Sequence, residues 1–376
     1  MNSIYVTTNM KRIPFLPLLF AVLSLSWFSC ENETPAPLPE EGYDMPSVFI
    51  VLPPNGPGDN GYLDKVMSAA SQYAISNPGE VGLLVTEDSI LANGVYTNLE
   101  EMLVEESVED TVLSIFVGSE YRDILYNAAR PLPNHQVLLI EDDGIGAPDW
   151  LHTCDIEMYG ASWLAGAMLA QQKASIIAAM PGERSLDRSI EGFKNGYGSV
   201  KGREVDSVYY LADNHKGFTM QYKAQKICNS IVKKTEGVYH TFFPLAGAAN
   251  MGVYNALLEY GSVQAVGMDK DYSPLSDCIP FSINVGIDAL ILDCLAQWNA
   301  TRELPKKRVE GLNSEYVEFV FNETWNSSTI FYGWENESQE WNEDNWNKVL
   351  TVEFWKQRYA LFVDQAIKEE KAYEKH

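Results

Sequence analysis

One glycine-rich loop and two carboxylate clusters hold the residue types best able to act on a small molecule. The loop, Asn55-Gly56-Pro57-Gly58-Asp59-Asn60-Gly61-Tyr62-Leu63, mixes Gly with Asp and Asn. That mixture permits a tight turn with exposed backbone N–H groups. Tyr62 then opens a helical pattern. Glu141-Asp142-Asp143 and the pair Asp269/Asp271 bring carboxylates close together. Such groups can shuttle protons or accept hydrogen bonds from a ligand. Among 52 Asp and Glu residues these pairs also arise by chance.

Stronger enzymatic signatures are missing from the sequence. There is no Gly-x-Ser-x-Gly elbow, no Walker loop, and no glycine-rich dinucleotide turn after the first strand. His135, His152, His215, His240 and His376 are scattered, with no HExxH pair. Cys154, Cys228, Cys278 and Cys294 form no CxxC pair, so no metal site is expected and disulfide pairing stays open. Cys228 and Cys294 read as small buried hydrophobes. The expectation is a binding protein without a cofactor, not an enzyme.

The elements that must position these residues alternate along the chain. Ser47–Leu52 is an apolar, β-branched run, and Tyr62–Ser76 has helical spacing. Strand patterns recur at Val81–Val85, Thr111–Val117, Gln136–Ile140, Ser175–Met180, Asp206–Leu211, His240–Leu245, Val263–Met268 and Ile279–Val285. Helical patterns fall near 97–106, 119–129, 160–172, 187–197, 218–233, 249–260 and 286–299. Continuous apolar strands between helices predict parallel sheets covered on both faces. Nine strands divide more readily into two doubly wound sheets than into one. The predicted fold is α/β, of the type I periplasmic-binding-protein kind, with two parallel-sheet lobes joined by a hinge. One lobe takes residues 46–155 and about 285–376, and the other takes 156–284. Ligands of such sheets sit at the carboxyl ends of the strands.

The ends of the chain carry other information. Lys11-Arg12 precede an apolar run, Ile13–Phe28, and then Ser29 and Cys30. This pattern predicts a signal peptide over residues 1–29 and a bacterial lipoprotein with lipid on Cys30. The Pro- and Glu-rich stretch to about residue 45 reads as a tether. Acidic residues directly behind Cys30 resemble a surface-export signal of Bacteroidetes lipoproteins. The expected place is the cell envelope, periplasmic or outer surface. Five of the nine tryptophans, Trp325, Trp334, Trp341, Trp346 and Trp355, crowd one stretch among acidic residues. It reads as a surface excursion packed on the lobes, or as an aromatic patch for a partner. From Glu353 onward an amphipathic closing helix is predicted. A formal charge of −25 argues against a nucleic-acid partner, since the chain repels a phosphate backbone on average.

The loops resemble those of the basic membrane protein (BMP) family of lipoproteins, related to purine nucleoside receptors. The first loop is similar to an Asp-x-Ser-Phe-Asn signature. Tyr159-Gly-Ala-Ser-Trp-Leu-Ala-Gly166 resembles the family's Tyr-Leu-Ala-Gly helix, and Ile190-Glu-Gly-Phe-Lys-Asn-Gly-Tyr197 its Phe-x-x-Gly-Phe helix. Phe243–Val253 and Gln264–Asp271 resemble its glycine turn and Asp-ended strand. The resemblance implies a nucleoside-like ligand, with a membrane transporter as partner. It implies that Asn60 and Tyr62 are the first-loop asparagine and stacking aromatic. Glu141 or Asp142 would hold the base edge, Phe218 would be the second aromatic, and Gly247 the close-approach glycine. Asp269 would accept from ribose hydroxyls. Pro53 stands where the family has an aspartate, and Val285 where it has a lysine. Both losses fall at the sugar end, so the resemblance implies a planar-ring clamp with an altered specificity. The alternative is a surface lipoprotein that uses the same fold to dock a partner.

Overall fold

The computed structural model describes residues 11–13, 45–106, 108–170, 173–200, 204–235, 240–260, 263–325 and 351–373. Lys11–Ile13 apart, the expected signal peptide, Cys30, the tether up to residue 44, and Trp334, Trp341 and Trp346 lie outside the described residues. The chain divides into two units. The first holds residues up to Pro54, Ala69–Ile140 and Gly146–His152. The second holds Asn55–Ser68, Glu141–Ile145 and Thr153–His376.

In the first unit, β1 (Lys11–Ile13), β2 (Val48–Leu52), β3 (Val81–Val85), β4 (Val112–Val117) and β5 (His135–Ile140) lie in the order β1-β3-β2-β4-β5. All pairs are parallel except β1 at the edge. Every residue of β2 and β4 is buried, which is why these strands read as unbroken apolar runs. The end of α1 (Tyr62–Ser76), with α2 (Asp88–Asn93), α3 (Val95–Glu105) and α4 (Arg122–Tyr126), completes the unit. Phe49, Val51, Leu99, Phe116 and Leu139 share its core. The Tyr121 hydroxyl reaches the Leu52 carbonyl at 2.7 Å and so pins the end of β2, where the glycine-rich loop departs.

In the second unit, Thr153–Ile156 of β6 (Leu151–Ile156) pair with β13 (Lys307–Glu310). A parallel sheet runs β10 (Val263–Ala265), β9 (His240–Leu245), β7 (Lys173–Ala178), β8 (Ser207–Tyr210). A third sheet joins β11 (Gly267–Asp269), β12 (Phe281–Val285) and β14 (Val317–Phe321), the last antiparallel. The expected strand Val263–Met268 is therefore two strands. The chain leaves β9's sheet after Ala265 and joins β12 at Gly267, which carries Asp269 to the third sheet. Strands β1, β6, β13 and β14 add to the nine expected.

The helices are α5 (Tyr159–Leu169), α6 (Arg184–Gly198), α7 (Gln221–Thr235), α8 (Asn250–Glu259), α9 (Ile287–Thr301) and α10 (Val352–Tyr373). Every residue of α5 is buried, so it shows no amphipathic pattern. It meets α6 at backbone distance: a Cβ on Gly196 would lie 1.8 Å from the Trp163 carbonyl oxygen. Trp325 and Trp355 are buried against each other, ring centroids 5.4 Å apart. Among the described residues, no helix is long and apolar enough to cross a membrane.

Candidate functional site

The glycine-rich loop is held by two aspartates. The Asp59 carboxylate accepts from the amides of Gly61 and Leu63, each at 2.9 Å, and of Asp64 at 3.2 Å. It thereby caps the first turn of α1, where a negative charge is favourable. Asp64 in turn accepts from the Gly58 and Asn60 amides at 2.6 and 2.9 Å. Asn60 sits in the left-handed region at φ 55°, and its carbonyl accepts from the Tyr272 hydroxyl at 2.7 Å. The loop is thus fixed to the segment that follows β11.

Asp269 ends β11 at φ 73°, another left-handed position. Its side chain presses on Gly61, where a Cβ would stand 3.2 Å from Oδ2. No hydrogen bond reaches the Asp269 carboxylate among the described residues. Burial, then the Asp59 charge, push its pKa up to about 7, against the pull of Lys65 and Lys270. Lys65, on α1, donates to Asn284 Oδ1 and to the Val285 carbonyl, both at 2.6 Å. Burial lowers its pKa, and the charges of Asp288 and Asp269 oppose that shift.

Tyr62 belongs to the same group. Burial first, and then the charges of Glu141 and Asp155, raise its hydroxyl pKa well above the ordinary value; Asp269 adds to this. Its O–H is therefore a donor at any ordinary pH. Glu141 adopts φ 69° at the turn after β5. Asp142 is buried and accepts from the Gly144 amide at 2.7 Å.

Beside this turn lies a charge cluster that sequence reading missed. Arg188 on α6 pairs with Asp143, with Asp155 at 3.1 Å and with Glu157 at 2.9 Å. Arg184 also pairs with Asp143. Burial pushes Asp155 up to about 7 with help from Glu157, despite Arg188. Burial alone would raise Asp143 too, but the Ile145 amide and the two arginines hold it below its ordinary value.

Phe218 and Gly247 form a second group. A turn over His215–Thr219 presents Phe218, half-buried, with its ring stacked on His215 at 6.2 Å. Gly247 is left-handed at φ 51°, and a Cβ there would meet Phe218 Cδ1 at 3.1 Å. Asn60, Tyr62, Glu141 and Asp269 thus lie together, and Phe218 lies with Gly247. No ring contact joins Phe218 to Tyr62 among the described residues. Lys65, Arg188 and Tyr272 were the site's unforeseen members. Lys65 follows Tyr62 by three residues on α1, and that helical spacing was the one available signal. Among the described residues, no group of His, Cys, Asp or Glu could hold a metal ion.

No family model matches the sequence, and no curated protein matches it in sequence. Solved structures similar in fold include a solute-binding protein of an ABC transporter system from Aeropyrum pernix K1. The TM-score is 0.59 at 19% identity, over 73% of this chain and 76% of that one. A transcriptional activator of the comK gene from Bacillus halodurans gives 0.58 at 16%, over 85% and 98%. An ABC transporter periplasmic solute-binding protein from Actinobacillus succinogenes 130z, with bound D-allose, gives 0.55 at 12%, over 74% and 98%. The fold is α/β, of the type I periplasmic-binding-protein kind. Identities this low speak for the fold alone, and the fold serves both solute binding and gene activation among these neighbours.

Proposed function

We propose that this chain is a lipid-anchored solute-binding protein that captures a small molecule for uptake, a nucleoside or related planar-ring compound. Its ligand contacts would be Asn60, Tyr62, Glu141, Asp142, Phe218, Gly247 and Asp269. The observation that carries this reading is the Asp269 carboxylate. It is held in a left-handed turn against Gly61, with no protein donor among the described residues. A carboxylate partly withdrawn from water without a protein donor is held at a cost, and a ligand hydroxyl or N–H would lift that cost. Tyr62 supplies an aromatic face and a permanent hydroxyl donor beside it. Phe218 offers a second ring, and Gly247 a close backbone approach. Binding and orientation account for these groups without a chemical step or a cofactor.

The kinship with BMP-type lipoproteins, the lipid on Cys30, a transporter partner and a cell-envelope location belong to the same proposal. They rest on the motifs and the N-terminal pattern of the sequence. The test is a thermal-shift screen of the chain from Glu31 onward against nucleosides, bases, vitamins, sugars and amino acids. A tight ligand raises Tm by mass action. A planar-ring hit that Asp269→Asn abolishes is the expected result. A hit insensitive to both Asp269→Asn and Tyr62→Ala, or silence across the panel, would overturn the reading.

A further inference from the structure

Helix α7 runs against the charge of the rest of the chain. Its sequence, Gln221–Thr235, carries Lys223, Lys226, Lys233 and Lys234 and no acidic residue, in a protein of charge −25. Lys223 is tied down by the Leu211 carbonyl. Lys226, Lys233 and Lys234 are exposed, and none forms an ion pair or hydrogen bond among the described residues. Three exposed ammonium groups without an ion pair among the described residues thus share one helix that carries no carboxylate. Tyr222, Lys226, Ser230 and Lys233 recur at helical spacing, so they share one face. The opposite face, with Ala224, Cys228, Ile231 and Val232, is buried.

That basic face lines an open groove of about 620 Å³, whose far wall includes Glu259 of α8. Glu259 is engaged: its carboxylate oxygens accept from Gln225 at 2.8 Å and Asn229 at 2.9 Å. Glu259 keeps its charge, but among the described residues it forms no ion pair with these lysines, and one carboxylate in the groove faces three ammonium groups. Tyr222 is 68% exposed beneath the Lys226 ammonium, 4.5 Å from ring centroid to nitrogen, and Leu258 beside Glu259 is 62% exposed.

We propose that this groove docks an acidic, partly apolar peptide segment of a partner protein. The stripe from Tyr222 to Lys234 is about 18 Å long at the helical rise, the span of a short extended peptide. Carboxylates would meet the three ammonium groups, and an apolar side chain would cover Tyr222. A concave strip suits a linear chain, whereas a flat lipid surface would meet only its rims. The groove shares no residue with the proposed ligand site, so the two ideas stand or fall separately.

The probe is a fluorescein-labelled Glu-Leu repeat peptide, titrated by anisotropy into the chain from Glu31 onward. Binding is expected at low salt and should weaken as salt rises, because exposed charge pairs are screened over about 10 Å at 0.1 M. The variant Lys226→Gln/Lys233→Gln/Lys234→Gln should weaken it about tenfold, the sum of three exposed pairs. The charge-matched control Lys194→Gln/Lys368→Gln/Lys371→Gln should leave it within about twofold. Absent peptide binding at low salt, or equal losses in the two triple variants, would overturn the proposal. So would tighter, α7-dependent binding to phosphatidylglycerol vesicles or polygalacturonate than to the peptide. Asp269→Asn should not change peptide binding; if it does, the groove is not a separate site.

Discussion

The Lys65 ammonium donates to the Val285 carbonyl at 2.6 Å. Val285 is the position at which the BMP resemblance calls for a lysine. A cation therefore reaches this point from α1 instead of from β12, and its charge acts on Asp269. If Asp269 faces the ligand, Lys65 keeps it partly ionised. Lys65→Met should then raise the Asp269 pKa further above about 7. It should also leave Asn284 Oδ1 and the Val285 carbonyl short of a donor, at a cost of about 1–3 kcal/mol. A carboxyl-carbon NMR titration reads the first effect and urea unfolding the second. Lys65→Arg should restore the charge effect, and an unmoved Asp269 titration in Lys65→Met would contradict the coupling.

Asp269 also sets an expected pH profile for ligand capture. Its pKa is about 7 in the free protein, so below that pH the carboxyl carries its own proton. A ligand that donates to the carboxylate favours the ionised form. Affinity should therefore fall as pH drops below 7, approaching about tenfold per unit well below the pKa, and level off above it. Calorimetric titrations across this range, once a ligand is in hand, give the curve. Asp155 titrates in the same range, so the diagnostic is Asp269→Asn, which should flatten the curve and weaken binding at high pH. A wild-type curve flat from acid to neutral pH would remove Asp269 as the acceptor.

Legibility in the sequence followed the kind of force involved. Helix α1 was read at its observed bounds, Tyr62–Ser76, because its apolar spacing and the turn before it are local signals. Strand β6 was missed. Its Leu-His-Thr-Cys-Asp-Ile pattern buries Asp155 beneath Arg188, and a buried ion pair looks like surface in a one-dimensional reading. Strand β13, Lys-Arg-Val-Glu, has three charged residues of four and none fully buried, so it offers no apolar run to read. Asp269 was visible through the family resemblance, whose motif ends this strand with an aspartate. Lys65 was not, since its partner Asn284 lies 219 residues away. Periodicity reports burial within an element, and long-range charge pairing has no period.

Arg188 ties three buried carboxylates, Asp143, Asp155 and Glu157, to α6. Removing the cation while leaving the acids should cost about 3–5 kcal/mol at neutral pH. The pH dependence has a definite sign. Asp155 is raised to about 7 in the folded state. It therefore opposes folding increasingly as pH climbs from the ordinary carboxyl range to 7, and Arg188→Met enlarges that opposition. Asp143 is held below its ordinary value, partly by Arg188. It supports folding above the ordinary carboxyl range, and Arg188→Met forfeits that support. Both effects make the loss larger at neutral pH than at acid pH. Tm of wild type and Arg188→Met, compared at about pH 4 and about pH 8, should show the gap widening with pH. A gap that narrows would mean that the acids are compensated elsewhere.

Helix α10 grips α5 at both ends. The Glu370 carboxylate accepts from the Gly160 amide at the start of α5 and from the Leu312 amide, both at 2.9 Å. Arg358 donates to the Ala167 and Met168 carbonyls near its end, at 2.7 and 2.5 Å. The two helices are therefore antiparallel, with an anion at the positive end of the α5 dipole and a cation at the negative end. Because α5 is buried on every side, water cannot replace either partner. Glu370→Ala leaves two buried amides without acceptors and should cost about 2–4 kcal/mol. Glu370→Gln keeps an acceptor oxygen but loses the charge, and should cost about half as much. Burial lowers the Arg358 pKa to about 10, so this guanidinium is already held at the expense of its hydration. Arg358→Met recovers that desolvation but leaves two buried carbonyls without this donor, so its net cost should fall below that of Glu370→Ala. Urea unfolding of the three variants gives the order directly. If Arg358→Met proves the most damaging, the carbonyl contacts at the end of α5, not the carboxylate at its start, hold the closing helix in place.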